Sequence, residues 1–131
     1  NFFTKFFYRK IFFTNYFALQ KNGQLVYPHT DARTKLVSMI YYISGNEDGG
    51  TEFWKIEKNT DKWKNWNNKH LKEPGEIKDF KSDSKLVRKT KLIENKVVGF
   101  IKTDLSWHSV LDIGMIDKNK NRKTINFFYK Y

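Results

Sequence analysis

Tyr27-Pro28-His29-Thr30-Asp31 is the stretch on which the reading of this chain turns. Side chains of an extended segment alternate between faces, so a histidine and a carboxylate two residues apart point the same way. Such a pair is half of a metal site. A third ligand of suitable type stands far downstream in Trp107-His108-Ser109-Val110, a second apolar run of strand character.

Around these two runs the sequence is punctuated as a series of short strands. A strand over residues 11–20, with Phe12, Phe13, Tyr16, Phe17 and Leu19, is expected to turn at Asn22-Gly23 and return as 24–27, delivering His29 and Asp31 at its far end. Pro28 fits a strand terminus, where no ladder donor is needed. Residues 2–20 are too aromatic to be expected on the surface. Residues 35–44 alternate Ser38, Ile40 and Tyr42 against Val37, Met39 and Tyr41, and glycines 45, 49 and 50 end that strand before another over 51–56. Residues 86–93, 96–102, 107–113 and 122–131 read as four more, with turns at Glu94-Asn95 and over 117–121.

Between 58 and 84 the chain is polar, with Trp63, Trp66, His70, Leu71 and Pro74-Gly75 scattered through it. It reads as a loop insertion, serving either as a mobile lid or as a surface segment packed on its own tryptophans. Eight or so short strands with little helix predict an all-β sandwich or barrel.

The 131 residues suffice for one domain and one core, and 39% hydrophobic with 18% aromatic content places the chain among globular proteins rather than disordered ones. There is no cysteine. Disulfides, thiolate metal sites and a cysteine nucleophile are therefore excluded, leaving His, Asp and Glu as the strong metal ligands, and a reducing cytoplasm is compatible with that. A formal charge of +11, from 25 Lys and Arg against 14 Asp and Glu, suits nucleic acid, anionic surfaces or acidic substrates. An AT-rich coding bias, which also enriches Asn, Ile, Phe and Tyr, would produce the same charge without a binding surface. No run of 18 apolar residues exists to span a membrane. The opening stretch of Phe, Tyr and Lys lacks the h-region and cleavage site of a signal peptide, and the missing initiator methionine suggests a chain cut at its start.

Two histidines and one carboxylate on a face, with the remaining positions open, form the ligand set of non-haem iron(II) oxygenases. His29-x-Asp31, then Ile40-Tyr41-Tyr42-Ile43, Gly49-Gly50-Thr51-Glu52, His108, and Arg122-Lys123-Thr124 before an aromatic C-terminal run, resemble the 2-oxoglutarate/Fe(II)-dependent dioxygenase superfamily in order and rough spacing. The closest likeness is to its prolyl-hydroxylase-like branch. The resemblance covers roughly residues 11–131, leaves out the 58–84 insertion, and implies a double-stranded β-helix (jelly-roll, cupin-like) core without the N-terminal helices that usually brace its major sheet.

It further implies that His29, Asp31 and His108 hold Fe(II), leaving three positions for 2-oxoglutarate and O2. Ascorbate would be an accessory reductant. Oxidative decarboxylation of the cosubstrate would then drive hydroxylation of an unactivated C–H bond. A carboxylate at position 31, where halogenating relatives carry Gly or Ala, argues for hydroxylation. Arg122, 14 positions after His108, would hold the far carboxylate of 2-oxoglutarate through two parallel hydrogen bonds, with Thr124 on the same strand face and Tyr42 as a second donor. Lys123 should point the other way. His70 is expected not to be a ligand, and Gly49 and Gly50 are expected to be structural. The implied substrate is a peptide, protein side chain or small molecule, plausibly proline. Two alternatives remain: an oxidative nucleic-acid demethylase of the same superfamily, and a non-catalytic β-sandwich binding module. The demethylase is favoured by the charge but not by the C-terminal strand, which lacks a second arginine.

Overall fold

A computed structural model of the protein describes residues 10–21, 24–45, 48–65, 67–111 and 121–131. Among the described residues eight strands and two helices follow in the order β1 (Phe12–Gln20), β2 (Val26–His29), β3 (Lys35–Tyr42), β4 (Glu52–Ile56), α1 (Thr60–Trp63), α2 (Pro74–Asp83), β5 (Ser84–Lys89), β6 (Lys96–Ile101), β7 (His108–Val110) and β8 (Arg122–Lys130). They form two four-stranded antiparallel sheets, one ordered β1-β8-β3-β6 and the other β2-β7-β4-β5. The chain is mainly β, as its alternating pattern predicts.

The first sheet is built on β8, which pairs with β1 from Phe12↔Lys130 to Gln20↔Arg122 and with β3 from Lys35↔Lys130 to Tyr42↔Thr124. Two-residue alternation then sorts β8 by face: Arg122, Thr124, Asn126 and Phe128 are buried, whereas Lys123 and Tyr129 are exposed. The expected register of the last strand therefore holds.

Two expectations about the N-terminal strand do not hold. The chain does reverse, with the Gln24 N–H donating to the Lys21 carbonyl (3.0 Å), but β1 and β2 do not pair and lie in different sheets. Turn residues dictate a change of direction only. The partner is chosen by the strand that completes the ladder, and β1 forms nine rungs with β8. Nor are the aromatics buried: Phe12, Phe13, Tyr16 and Phe17 are all more than half exposed, because among the described residues β1 is an edge strand. Asn22 and Gly23, the residues before Lys10, and most of the 117–121 turn lie outside the described residues.

The other sheet is covered, and what covers it is the stretch read as a loop insertion. Its two helices bring Trp63 and Phe80, and the segment between them brings Leu71, each 0–1% exposed, onto Trp107, with Trp54, Ile56 and Ile77 at the margin. Edge-on ring contacts link Trp63 to Phe80 (5.3 Å) and to Trp107 (6.0 Å), geometry that suits the ring quadrupoles. The Trp107 indole N–H donates to the Trp63 carbonyl (2.9 Å), and the Trp63 indole N–H to Asp83 (2.8 Å). Trp63 thus sits in a core with satisfied polar groups rather than on a lid, while Trp66 lies outside the described residues.

Glycines 49 and 50 are structural, as expected. Gly49 has φ 79°, the left-handed region that disfavours a side chain, and a Cβ on Gly50 would lie 1.6 Å from the Thr90 carbonyl oxygen.

Candidate metal centre and cosubstrate pocket

His29 and His108 are direct partners across the β2–β7 ladder, so antiparallel pairing puts both rings on one face, 4.1 Å between centroids. Asp31, two residues past His29 and just beyond the strand end, joins them. One donor atom from each of His29, Asp31 and His108 lies within 4.8 Å of the others. A facial set around an ion with bonds of about 2.1 Å needs donor separations of about 3 Å.

The two rings are oriented alike. His29 Nδ1 bonds the Tyr27 carbonyl (2.9 Å) and His108 Nδ1 bonds the Ser106 carbonyl (3.0 Å), which places the proton on Nδ1 and leaves each Nε2 with a free lone pair. Burial, and then the neighbouring His108 ring, push the His29 pKa down to about 3. Burial also lowers that of His108. Both rings are therefore neutral at neutral pH, the form that binds a metal.

Burial opposes ionisation of Asp31, yet His108, the Lys35 ammonium and the Ser38 hydroxyl outweigh it and hold the carboxyl below its usual value. Lys35 Nζ reaches Oδ1 and Ser38 Oγ donates to Oδ2, both at 2.6 Å. Each oxygen keeps lone-pair capacity, so the two contacts fix the carboxylate without using it up. Sequence reading missed both, although Lys35 follows Asp31 by four positions and Ser38 belongs to the inward face of β3.

The triad lines a cavity of about 170 Å³ between the sheets, together with Tyr16, Gln20, Phe100, Arg122 and Asn126. Phe100 packs against the His108 ring at 4.6 Å. Arg122 is 5% exposed; its Nε donates to the Gly49 carbonyl (2.8 Å), and a second nitrogen donates to the Gln20 side chain. Among the described residues no carboxylate pairs with Arg122. Burial lowers its pKa, an effect partly offset by Tyr42. Thr124, on the same face, is fully buried, and its Oγ1 has no hydrogen-bond partner.

Tyr42 takes a different place from the one expected. Its hydroxyl meets Thr51 Oγ1 (2.9 Å) and Thr90 Oγ1 (2.8 Å) and accepts from the Thr51 N–H (3.1 Å). Thr90 Oγ1 in turn donates to the Thr51 carbonyl, so the single Tyr42 proton is consumed inside this network. Its ring lies 5.5 Å from the Arg122 guanidinium carbon, within cation–π range. Tyr42 supports the cation and is not a wall of the cavity. His70 is not among the three clustered ligands.

No protein-family model matches the sequence, and no curated protein matches it.

Proposed function

We propose that this chain is an Fe(II)- and 2-oxoglutarate-dependent dioxygenase that hydroxylates an unactivated C–H bond, most consistently with its motif order in a peptide or protein side chain of prolyl type. The observation that carries the reading is the joining, in one small cavity, of a His-Asp-His donor cluster with a buried arginine that has no carboxylate partner among the described residues. A buried cation without a counter-ion is costly unless a ligand supplies one, and a dicarboxylate does so. The Thr124 hydroxyl on the same strand face is unpartnered, but Thr124, like Tyr42, is not a wall of the cavity.

The donor set fits iron. Two neutral imidazoles and one carboxylate suit Fe(II) among other divalent ions, and with no cysteine in the chain there is no thiolate to favour a softer one. His29 and His108 would hold the ion through Nε2 and Asp31 through one oxygen, while Lys35 and Ser38 keep the carboxylate turned toward it. Fe(II), when bound with 2-oxoglutarate and O2, supplies the oxidising power. Arg122 orients the far carboxylate of the cosubstrate, and the Gly49 carbonyl and Tyr42 ring hold Arg122 in turn. Phe100, Phe128 and Val110 keep the reacting end dry.

The strand order also supports the reading. Sheets ordered β1-β8-β3-β6 and β2-β7-β4-β5 are what an eight-stranded jelly roll produces when the chain alternates between layers. Among the described residues no helix is long and apolar enough to cross a membrane, and a cysteine-free iron(II) site suits a reducing cytoplasm.

Turnover provides the test. Iron-dependent conversion of 2-oxoglutarate to succinate, stimulated by one member of a panel of peptides, free amino acids and nucleic acids, is expected and would name the substrate class. No iron-dependent succinate with any member would sink the proposal.

A further inference from the structure

Resting on that reading of the metal centre, we propose that residues 68–71 are a built-in clamp on the metal-binding strand, and that His70 is the positioning residue that fixes His29. The segment runs antiparallel along the free edge of β2. The Thr30 N–H donates to the Lys69 carbonyl (3.0 Å), the Leu71 N–H to the Pro28 carbonyl (3.0 Å), and the Asn68 N–H to the Asp31 carbonyl (3.1 Å). His29 and His70 are therefore bridge partners, one rung apart across this edge.

That register stacks the His70 ring flat on the His29 ring, with centroids 4.6 Å apart and planes within 5° of parallel. The His70 ring is itself fixed, because Nε2 bonds the Asn68 side chain at 2.9 Å. On another side His29 meets His108 (4.1 Å, tilted 54°), and its Nδ1 is tied to the Tyr27 carbonyl. Rotation about the Cβ–Cγ bond of His29 is blocked from both directions. Its Nε2 is held toward the donors of Asp31 and His108.

The clamp is anchored from behind. Leu71, the residue after His70, is buried in the cluster of Trp63, Phe80 and Trp107, and Trp107 precedes the third ligand, His108. Asn68 adopts φ 51°, the turn that directs the segment onto β2. Each ligand therefore neighbours a contact with residues 58–84: His29 through His70, Asp31 through Asn68, and His108 through Trp107. One packed unit sets the spacing of all three, and that is a reason for an insertion of this length between β4 and β5.

The experiment compares wild type with His29→Ala, His70→Ala, His70→Phe and His70→Gln, measuring Co(II) affinity by anaerobic calorimetry, the visible spectrum of bound Co(II), and folding by circular dichroism. A phenyl ring keeps the stack and cannot ligate. His70→Ala should lose about 10- to 100-fold in affinity with an altered Co(II) spectrum, and His70→Phe should stay within about threefold of wild type. If His70→Ala does not fold, Phe against Gln decides, since only Phe preserves the flat contact. Equal affinities across the variants would overturn the clamp, and so would a loss in His70→Phe as large as in His29→Ala, which would make His70 a ligand. Failure of wild type to bind Co(II) would instead overturn the metal-centre reading itself.

Discussion

Arg122 and Lys123 are adjacent cations on β8 that face opposite ways: Arg122 lies buried between the sheets against Gly49, and Lys123 is exposed on the outer face. Strand alternation alone decides which of the two can serve the cavity. Arg122→Ala should weaken 2-oxoglutarate at least tenfold, since loss of a charge-assisted contact to a buried carboxylate costs on the order of 2–5 kcal/mol. Lys123→Ala should leave it unchanged. Anaerobic calorimetry with metal present measures both, and the reverse ranking would show the cosubstrate to be held elsewhere.

The support beneath Arg122 can be tested through the glycine that packs there. A methyl group on Gly50 would fall 1.6 Å from the Thr90 carbonyl oxygen, and backbone cannot yield as a side chain does. Gly50→Ala should therefore destabilise by about 1–3 kcal/mol or more. Because Thr90 and Thr51 hold the Tyr42 hydroxyl, 2-oxoglutarate affinity should fall with it. Chemical denaturation checks the first effect. Wild-type stability in the variant would mean that the turn differs from the one described.

Much of the candidate cluster's geometry was legible because its signals are local. His29-x-Asp31 and Arg122-x-Thr124 each rest on a period of two, which holds wherever the segment is extended. The β1–β8 pairing was not legible, since it joins residues more than a hundred positions apart and no short motif encodes it. Residues 58–84 were misread for a subtler reason. Pro74 at the start of α2, with Ile77 and Phe80 three residues apart on one face, was a valid helix signal. The whole stretch reads as a polar loop instead, because the lysines around these residues hide the core side chains. Tyr42 was correctly placed on the inward face, but its role depended on Thr51 and Thr90, whose convergence on one hydroxyl no linear pattern reveals.

Asp83 gives the core behind β7 and β4 a pH signature. Hydrogen bonds from Trp63 and Asn59 lower its pKa below the ordinary carboxylate value. A depressed folded-state pKa means that the unfolded chain binds the proton more readily. The contribution is therefore complete above the unfolded value of about 3.9 and is lost as pH falls through the lower folded one. Wild type should be more stable than Asp83→Asn at neutral pH, with the difference shrinking once the pH drops below about 4. Urea midpoints from pH 7 to 3 measure it, and a gap that widens in acid would contradict the assignment.

Anaerobic titration of Fe(II) into the wild-type protein and into His108→Ala tests the His29-Asp31-His108 centre most directly. Expected are one ion per chain for wild type and an affinity at least about 100-fold lower for the variant, from loss of a ligand and its oriented ring. Iron binding of equal strength in the two proteins, or none in wild type, would contradict it.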